Sequence, residues 1–117
     1  MKTKGVISSG HERTSEAGKV ILEAGGNAFD AALSALLASF VCEPCMSSPG
    51  GGGFMTGLYN NRPVFEDFFC QTPSSKNIPD LDFFPVEVNF GAVTETFHIG
   101  NGSIAVPGNI GGVFAIF

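Results

Sequence analysis

NAFDAALSALLASFVCEPCMSSPGGGG, residues 27–53, is the stretch that decides the fold. From Asp30 to Val41 nearly every position is Ala, Leu, Phe or Val, and Ser34 and Ser39 are the only polar interruptions. A helix that is apolar all round has to be covered on more than one side. Asn27 with Asp30 three residues on is a short-acid version of the capping box, so the helix starts there. Pro44 disfavours a helical residue before it, so the helix ends by Glu43. Gly50, Gly51, Gly52 and Gly53 then mark a turn that needs either positive φ angles or close approach of another strand.

Working outward on the N-terminal side, Ala17, Val20, Ile21 and Ala24 repeat at helical spacing, with Thr14 as the expected cap and Glu16 in the first turn. Gly25–Gly26 ends that helix, which predicts two helices joined by a two-glycine corner. Lys4–Ser9 (KGVISS) reads as a short strand. On the C-terminal side, Phe54–Tyr59 and Val64–Phe69 read as a hairpin turning through Asn60–Pro63. Phe68 and Phe69 are adjacent, so they point to opposite faces of their strand and both faces want cover. Residues 71–85 read as loop, with Pro73, Pro79, Pro85 and the Ser74–Asn77 cluster. Its apolar residues Ile78, Leu81, Phe83 and Phe84 are too many for a free linker and predict that it lies on the body. Val86–Phe90 and Val93–Ile99 are strand candidates, Ser103–Val106 a short strand, and Ile110–Phe117 a beginning helix. The apolar pattern stops uncapped at Phe117, which reads as a cut end. Helices on one side and antiparallel strands on the other give an α+β class.

The chain has 117 residues, 44% hydrophobic and 15% charged, against about 25% charged in an ordinary soluble domain. So greasy a surface predicts a covering partner or membership of a larger body. Six basic and eleven acidic side chains, net −5, give no footprint for nucleic acid or anionic lipid. The Ala31–Cys42 run is too short for the ~20 residues of a membrane span. MKTKGVISSGHERTS lacks the apolar core of a secretory signal. A cytoplasmic location is therefore expected, or a periplasmic or secreted one if a leader precedes this sequence.

The residues that could carry chemistry do not assemble into a constellation. Cys42 and Cys45 form a CxxC at the wrong end of a helix for a redox motif, and His11, His98 and Cys70 complete no zinc spacing. The expectation is plain small residues, no metal and no cofactor. The glycine run lacks the Lys-Ser/Thr of a phosphate loop and the spacing of a dinucleotide turn. Ser8, Ser9, Ser47 and Ser48 have no nucleophile-elbow context. Glu66 and Asp67 diverge on a strand, and Asp80, Asp82 and Glu87 read as solvated acids.

Four strings, however, occur in a telling order: GHERTSEAGKVILEAGGNAFDAALSALLASFVCEP, SSPGGGGFMTGLYNN, FEDFFCQTP and IAVPGNIGGVFAIF. Together they resemble the N-terminal part of the γ-glutamyltransferase family over nearly the whole chain. The resemblance implies the N-terminal portion of an Ntn-hydrolase αββα sandwich, with residues 1–117 a partial domain. In that family a precursor cuts itself to free an N-terminal Thr, which attacks the γ-glutamyl amide with its own amine as base. Thr3, Thr14, Thr56, Thr72, Thr94 and Thr96 match no such position, and Met1 cannot play the part. No catalytic residue is therefore assigned here, and the chain alone is expected to be inactive. Its expected partners are the remaining C-terminal half, or copies of itself through exposed apolar surface. The family's strand motif D-F-R-E-x-A-P supplies an Arg that holds the substrate α-carboxylate. Aligned on Asp67, Phe68 and Pro73, that Arg falls at Phe69 and the following Glu at Cys70. Phe69 cannot pair a carboxylate, which implies a less polar amide as donor. Pro49 before the glycines is a smaller departure, and Gly50–Gly53 would form the loop near the site. Two other classes remain open: a non-catalytic interaction module that retains this scaffold, and a CxxC redox or metal protein.

Overall fold

In the computed structural model, residues 5–75 and 78–117 are described. Met1, Thr3 and Lys4 of the N-terminal readings and Lys76–Asn77 of the loop lie outside them. The chain divides into two compact units, one running to Cys70 and resuming at Pro107, the other spanning Gln71–Val106.

The first unit begins with a helix pair, α1 (Glu12–Glu23) and α2 (Ala28–Cys42). Between them Gly25 takes φ +96, with Gly25 N donating to Leu22 O at 3.2 Å and Gly26 N to Ile21 O at 2.9 Å. This is the paired hydrogen bonding of a Schellman end, and it confirms the two-glycine corner. The capping box at α2 is complete: Asn27 Oδ1 accepts from Phe29 and Asp30 N, and Asp30 Oδ2 accepts from Asn27 N.

Three expectations at the N-terminus are corrected. The described residues Gly5–Ser9 form no strand. The cap of α1 is His11, whose Nδ1 accepts from Arg13 N at 3.1 Å, and not Thr14. The inward face of α1 carries Thr14 and Gly18, while Val20 is exposed. The reason is closeness of approach: a Cβ on Gly18 would strike the Ile7 side chain and lie 2.8 Å from Ala31 O. A small residue is needed where two helices come this near, so the contact stripe follows the small residues rather than the apolar ones. Ser34 Oγ donates across the seam to Ala17 O at 3.1 Å. Thr14 Oγ1 donates to Glu43 Oε2 at 2.9 Å, tying α1 to the end of α2.

A two-stranded antiparallel hairpin follows, β1 (Gly53–Tyr59) and β2 (Arg62–Phe68), in register from Gly53↔Phe68 to Tyr59↔Arg62. Its turn is two residues long, not four. Asn60 and Asn61 stand at φ 49 and 62, the left-handed pair of a type I′ turn. Pro63 sits inside β2, which it can do because a two-stranded sheet has only edges. Phe29 of α2 lies over Gly57 and meets Tyr59 edge-on at 6.4 Å. The last helix, α3 (Asn109–Ile116), sets Gly112 against the Phe68 ring. Phe68 and Phe69 do face opposite ways: Phe68 meets α3, and Phe69 lies on the outer face against Phe54.

The second unit is built on the hairpin β3 (Phe84–Asn89) and β4 (Thr94–Ile99), paired from Phe84↔Ile99 to Asn89↔Thr94. Gly91 at φ +90 makes its turn, with Asn89 Oδ1 accepting from Gly91 N. No strand spans Ser103–Val106. Asn101–Ser103 form a 3-10 turn, and Val106 alone pairs, with Gln71. Ile78, Leu81, Phe83 and Phe84 remain about half exposed.

Among the described residues the buried apolar core consists of Ala31 and Leu33, and no large side chain is fully buried. Helix α2 is therefore not covered on all sides here: Leu37 is 47% and Val41 81% exposed.

Candidate functional site

None of the four glycines has a positive φ, and three of them, Gly51, Gly52 and Gly53, work by permitting close approach. A Cβ on Gly52 would collide with Cys70 N and lie 2.7 Å from Phe68 O. One on Gly53 would lie 3.0 Å from the Phe68 ring. Gly51 lies against the start of α3, where its carbonyl accepts from both Gly108 N and Asn109 N at 2.9 Å. At Gly50, by contrast, a Cβ would meet only Ser48 Oγ, at an ordinary 3.7 Å. The loop is thus a seam where three backbone segments converge: residues 48–53, 68–70 and 107–109.

Asn109 closes the seam. It is 3% exposed, and its Nδ2 donates to Ser48 O at 2.6 Å. Sequence reading passed over this residue, and the one signal for it was its place directly after Pro107–Gly108 beside an expected glycine turn. Ser39 Oγ donates to Leu36 O at 2.7 Å and is hydrogen-bonded to the Ser47 hydroxyl at 2.9 Å, anchoring the loop to α2.

Phe69 follows β2 on its outer face. Its ring stacks on Phe54 at 5.2 Å and 7° between planes, and Phe54 stacks on Phe65 at 6.2 Å and 16°. Offset aromatic stacking of this kind is favourable beyond area burial alone, yet Phe54, Phe65 and Phe69 stay 59%, 61% and 51% exposed. The Phe69 backbone N–H donates to Asp67 Oδ1 at 3.0 Å. The structure therefore brings the glycine loop and the Phe68–Cys70 segment together, and places Phe69 on an open aromatic face.

Other candidates stay apart. His11 caps a helix, and His98 stacks on Phe83 at 4.7 Å. Glu66 and Asp67 lie on opposite faces of β2, as alternation requires. Asp82 is not simply solvated, because its carboxylate holds Asn101 N at 3.0 Å. Cys42, Cys45 and Cys70 are free thiols. Among the described residues no group of three His, Cys, Asp or Glu could hold a metal ion, and no helix is long and apolar enough to cross a membrane.

Comparison with known proteins places this seam in context. The model of the gamma-glutamyltranspeptidase family matches residues 14–117. A glutathione hydrolase proenzyme of Bacillus subtilis is 49% identical over 110 residues, covering 93% of this chain and 18% of that protein. An acylase ACY 1 proenzyme of Pseudomonas sp. (strain SE83) is 33% identical over 113 residues, 94% of this chain and 20% of its own length. Among solved structures, the gamma-glutamyltranspeptidase of Helicobacter pylori superposes with a TM-score of 0.73 at 29% identity, covering 99% of this chain and 32% of that one. The transpeptidase CapD of Bacillus anthracis gives 0.73 at 26% identity, with 98% and 33% covered. The chain thus spans about a fifth of the length of these curated relatives, and its α+β architecture is that of an N-terminal portion of their fold.

Proposed function

The chain belongs to the γ-glutamyltranspeptidase family, and from that premise we propose that it is the scaffold part of an Ntn amidohydrolase or acyltransferase, inactive by itself. Its role is to build one wall of the site, against which the rest of the fold supplies a nucleophilic Thr that attacks an amide and passes the acyl group to water or an amine. The observation that carries this reading is the open face of β1 and β2. Phe54, Phe65 and Phe69 form a stacked row that this chain leaves uncovered. A contiguous apolar surface of this kind marks an interface, and the natural occupant is the remaining polypeptide of a protein several times longer. Within the chain itself, Ser47 and Asn109 beside the glycine loop are engaged in structural hydrogen bonds.

Phe69 qualifies the donor. At the place where the family resemblance calls for an Arg, a half-exposed ring stands on Phe54. A ring offers no bidentate donor for a carboxylate, so the donor of the assembled enzyme is an amide whose acyl part lacks an α-carboxylate at that point. The Gly50–Gly53 loop holds this segment in place through the contact of Gly52 with Cys70.

The test is direct. The isolated chain is incubated with γ-glutamyl-p-nitroanilide and with an uncharged acyl-p-nitroanilide. No release of nitroaniline is expected from either, and turnover of either one by the chain alone defeats the scaffold reading.

A further inference from the structure

We infer that Asn101–Gly102 is a deamidation site held shut by Asp82, so that the second unit carries a one-way covalent switch in its 3-10 turn. This pair is the single Asn-Gly step in the sequence. Glycine offers no side chain to hinder the approach of its own backbone nitrogen to the preceding side-chain amide. In the reaction Gly102 N gives up its proton and attacks Cγ of Asn101. The Cγ–Nδ2 bond breaks, and ammonia leaves with that nitrogen. Water then opens the five-membered imide to aspartate or isoaspartate. The balance is one amide and one water in, one carboxylic acid and one ammonia out, with no oxidant or reductant.

The fold blocks the first step. Gly102 N–H, the proton that must be lost, donates to Asp82 O at 2.7 Å. Asn101 N–H donates to Asp82 Oδ2 at 3.0 Å, so one residue grips both halves of the reacting pair. Ser103 closes the turn behind them, its N and Oγ donating to Gly100 O at 3.0 and 2.8 Å. Gly102 is wedged besides: a Cβ there would lie 2.7 Å from Leu81 Cγ and 2.9 Å from Phe83 Cβ. Gly100, at φ +102, lies so near the Asp82 carbonyl that no Cβ fits. The Asn101 residue itself is exposed, so water for the second step is at hand.

Once converted, residue 101 carries a carboxylate on the turn whose backbone N–H the Asp82 carboxylate holds. Like charges repel, and isoaspartate adds a methylene to the backbone of a turn with no slack. Ammonia is lost to solvent, which makes the change one-way.

The experiment follows conversion at Asn101 by peptide mapping and mass spectrometry during incubation at mildly alkaline pH. It compares the wild-type chain, Asp82→Ala and Asp82→Asn, each in buffer and in denaturing urea. Wild type in buffer is expected to convert much more slowly than in urea. Asp82→Ala, lacking the carboxylate hydrogen bond, should convert roughly tenfold faster than wild type in buffer, and Asp82→Asn, which keeps an acceptor oxygen, at a rate between them. All three should agree in urea. Equal wild-type rates in buffer and urea overturn the inference without recourse to any variant. Equal rates for wild type and Asp82→Ala in buffer overturn the role of the Asp82 carboxylate.

Discussion

At Gly52 the fold has no room for a methyl group, because the nearest atoms are the backbone of Phe68–Cys70 and backbone cannot rotate aside. Gly52→Ala is therefore expected to cost about 1–3 kcal/mol, the usual range for overpacking. Gly50→Ala, whose nearest neighbour is Ser48 Oγ at 3.7 Å, should change little. The urea midpoint of the helical circular-dichroism signal separates the two, and equal midpoints would show that the seam is not formed as described. Asn109→Ala removes one of the two hydrogen bonds to the Ser48 carbonyl, which keeps that of Gly51 N–H, a loss of about 0.5–1.5 kcal/mol. The sequence made the glycine run conspicuous, but four identical letters do not say which of them touches backbone. That distinction arises from residues sixteen or more positions away, which is why Gly52 and Gly50 look alike until the chain is folded.

The junction of α1 and α2 was legible because capping is a local matter, while the start of α1 falls at His11 and not Thr14. The box of Asn27 and Asp30 and the Gly25 corner involve residues within a turn of each other, and both stand where the sequence puts them. Asn27→Ala should lower stability by about 1 kcal/mol, with helix content by circular dichroism as the measure. The hairpin turn was misjudged in length, since Arg62 and Pro63 look like turn residues yet belong to β2. The decisive fact is that Asn60 and Asn61 both adopt the left-handed conformation, which Asn tolerates and Gly prefers. Asn61→Gly should thus hold or raise the melting temperature, whereas Asn61→Val should lower it by roughly 1–2 kcal/mol of stability. The inward face of α1 was missed for a different reason. Hydrophobic periodicity points to Val20, but a tight helix crossing selects Thr14 and Gly18.

On the scale of the whole molecule, the first unit leaves many large apolar side chains in solvent. Phe54, Phe65, Phe69 and Phe114, the last 76% exposed, lie open. The isolated chain is expected to bind an environment-sensitive hydrophobic dye strongly and to associate as its concentration rises. Sedimentation showing a dye-silent monomer would mean that the surface is closed by some rearrangement. Replacing Phe65 by Ser should weaken both effects, since it removes the end of the stacked row without touching the inner face.

By itself the sequence determined the helix pair with its two-glycine corner and the capping box of α2, the α+β class and the family, because each is written in neighbouring residues or in a motif order. Only the tertiary structure decided which glycine meets backbone, that Asn109 locks the loop, that Asp82 grips the 100–103 turn, and which faces stay open. Those are contacts between residues far apart in the chain. Their energies depend on interatomic distances that the linear order of side chains does not contain.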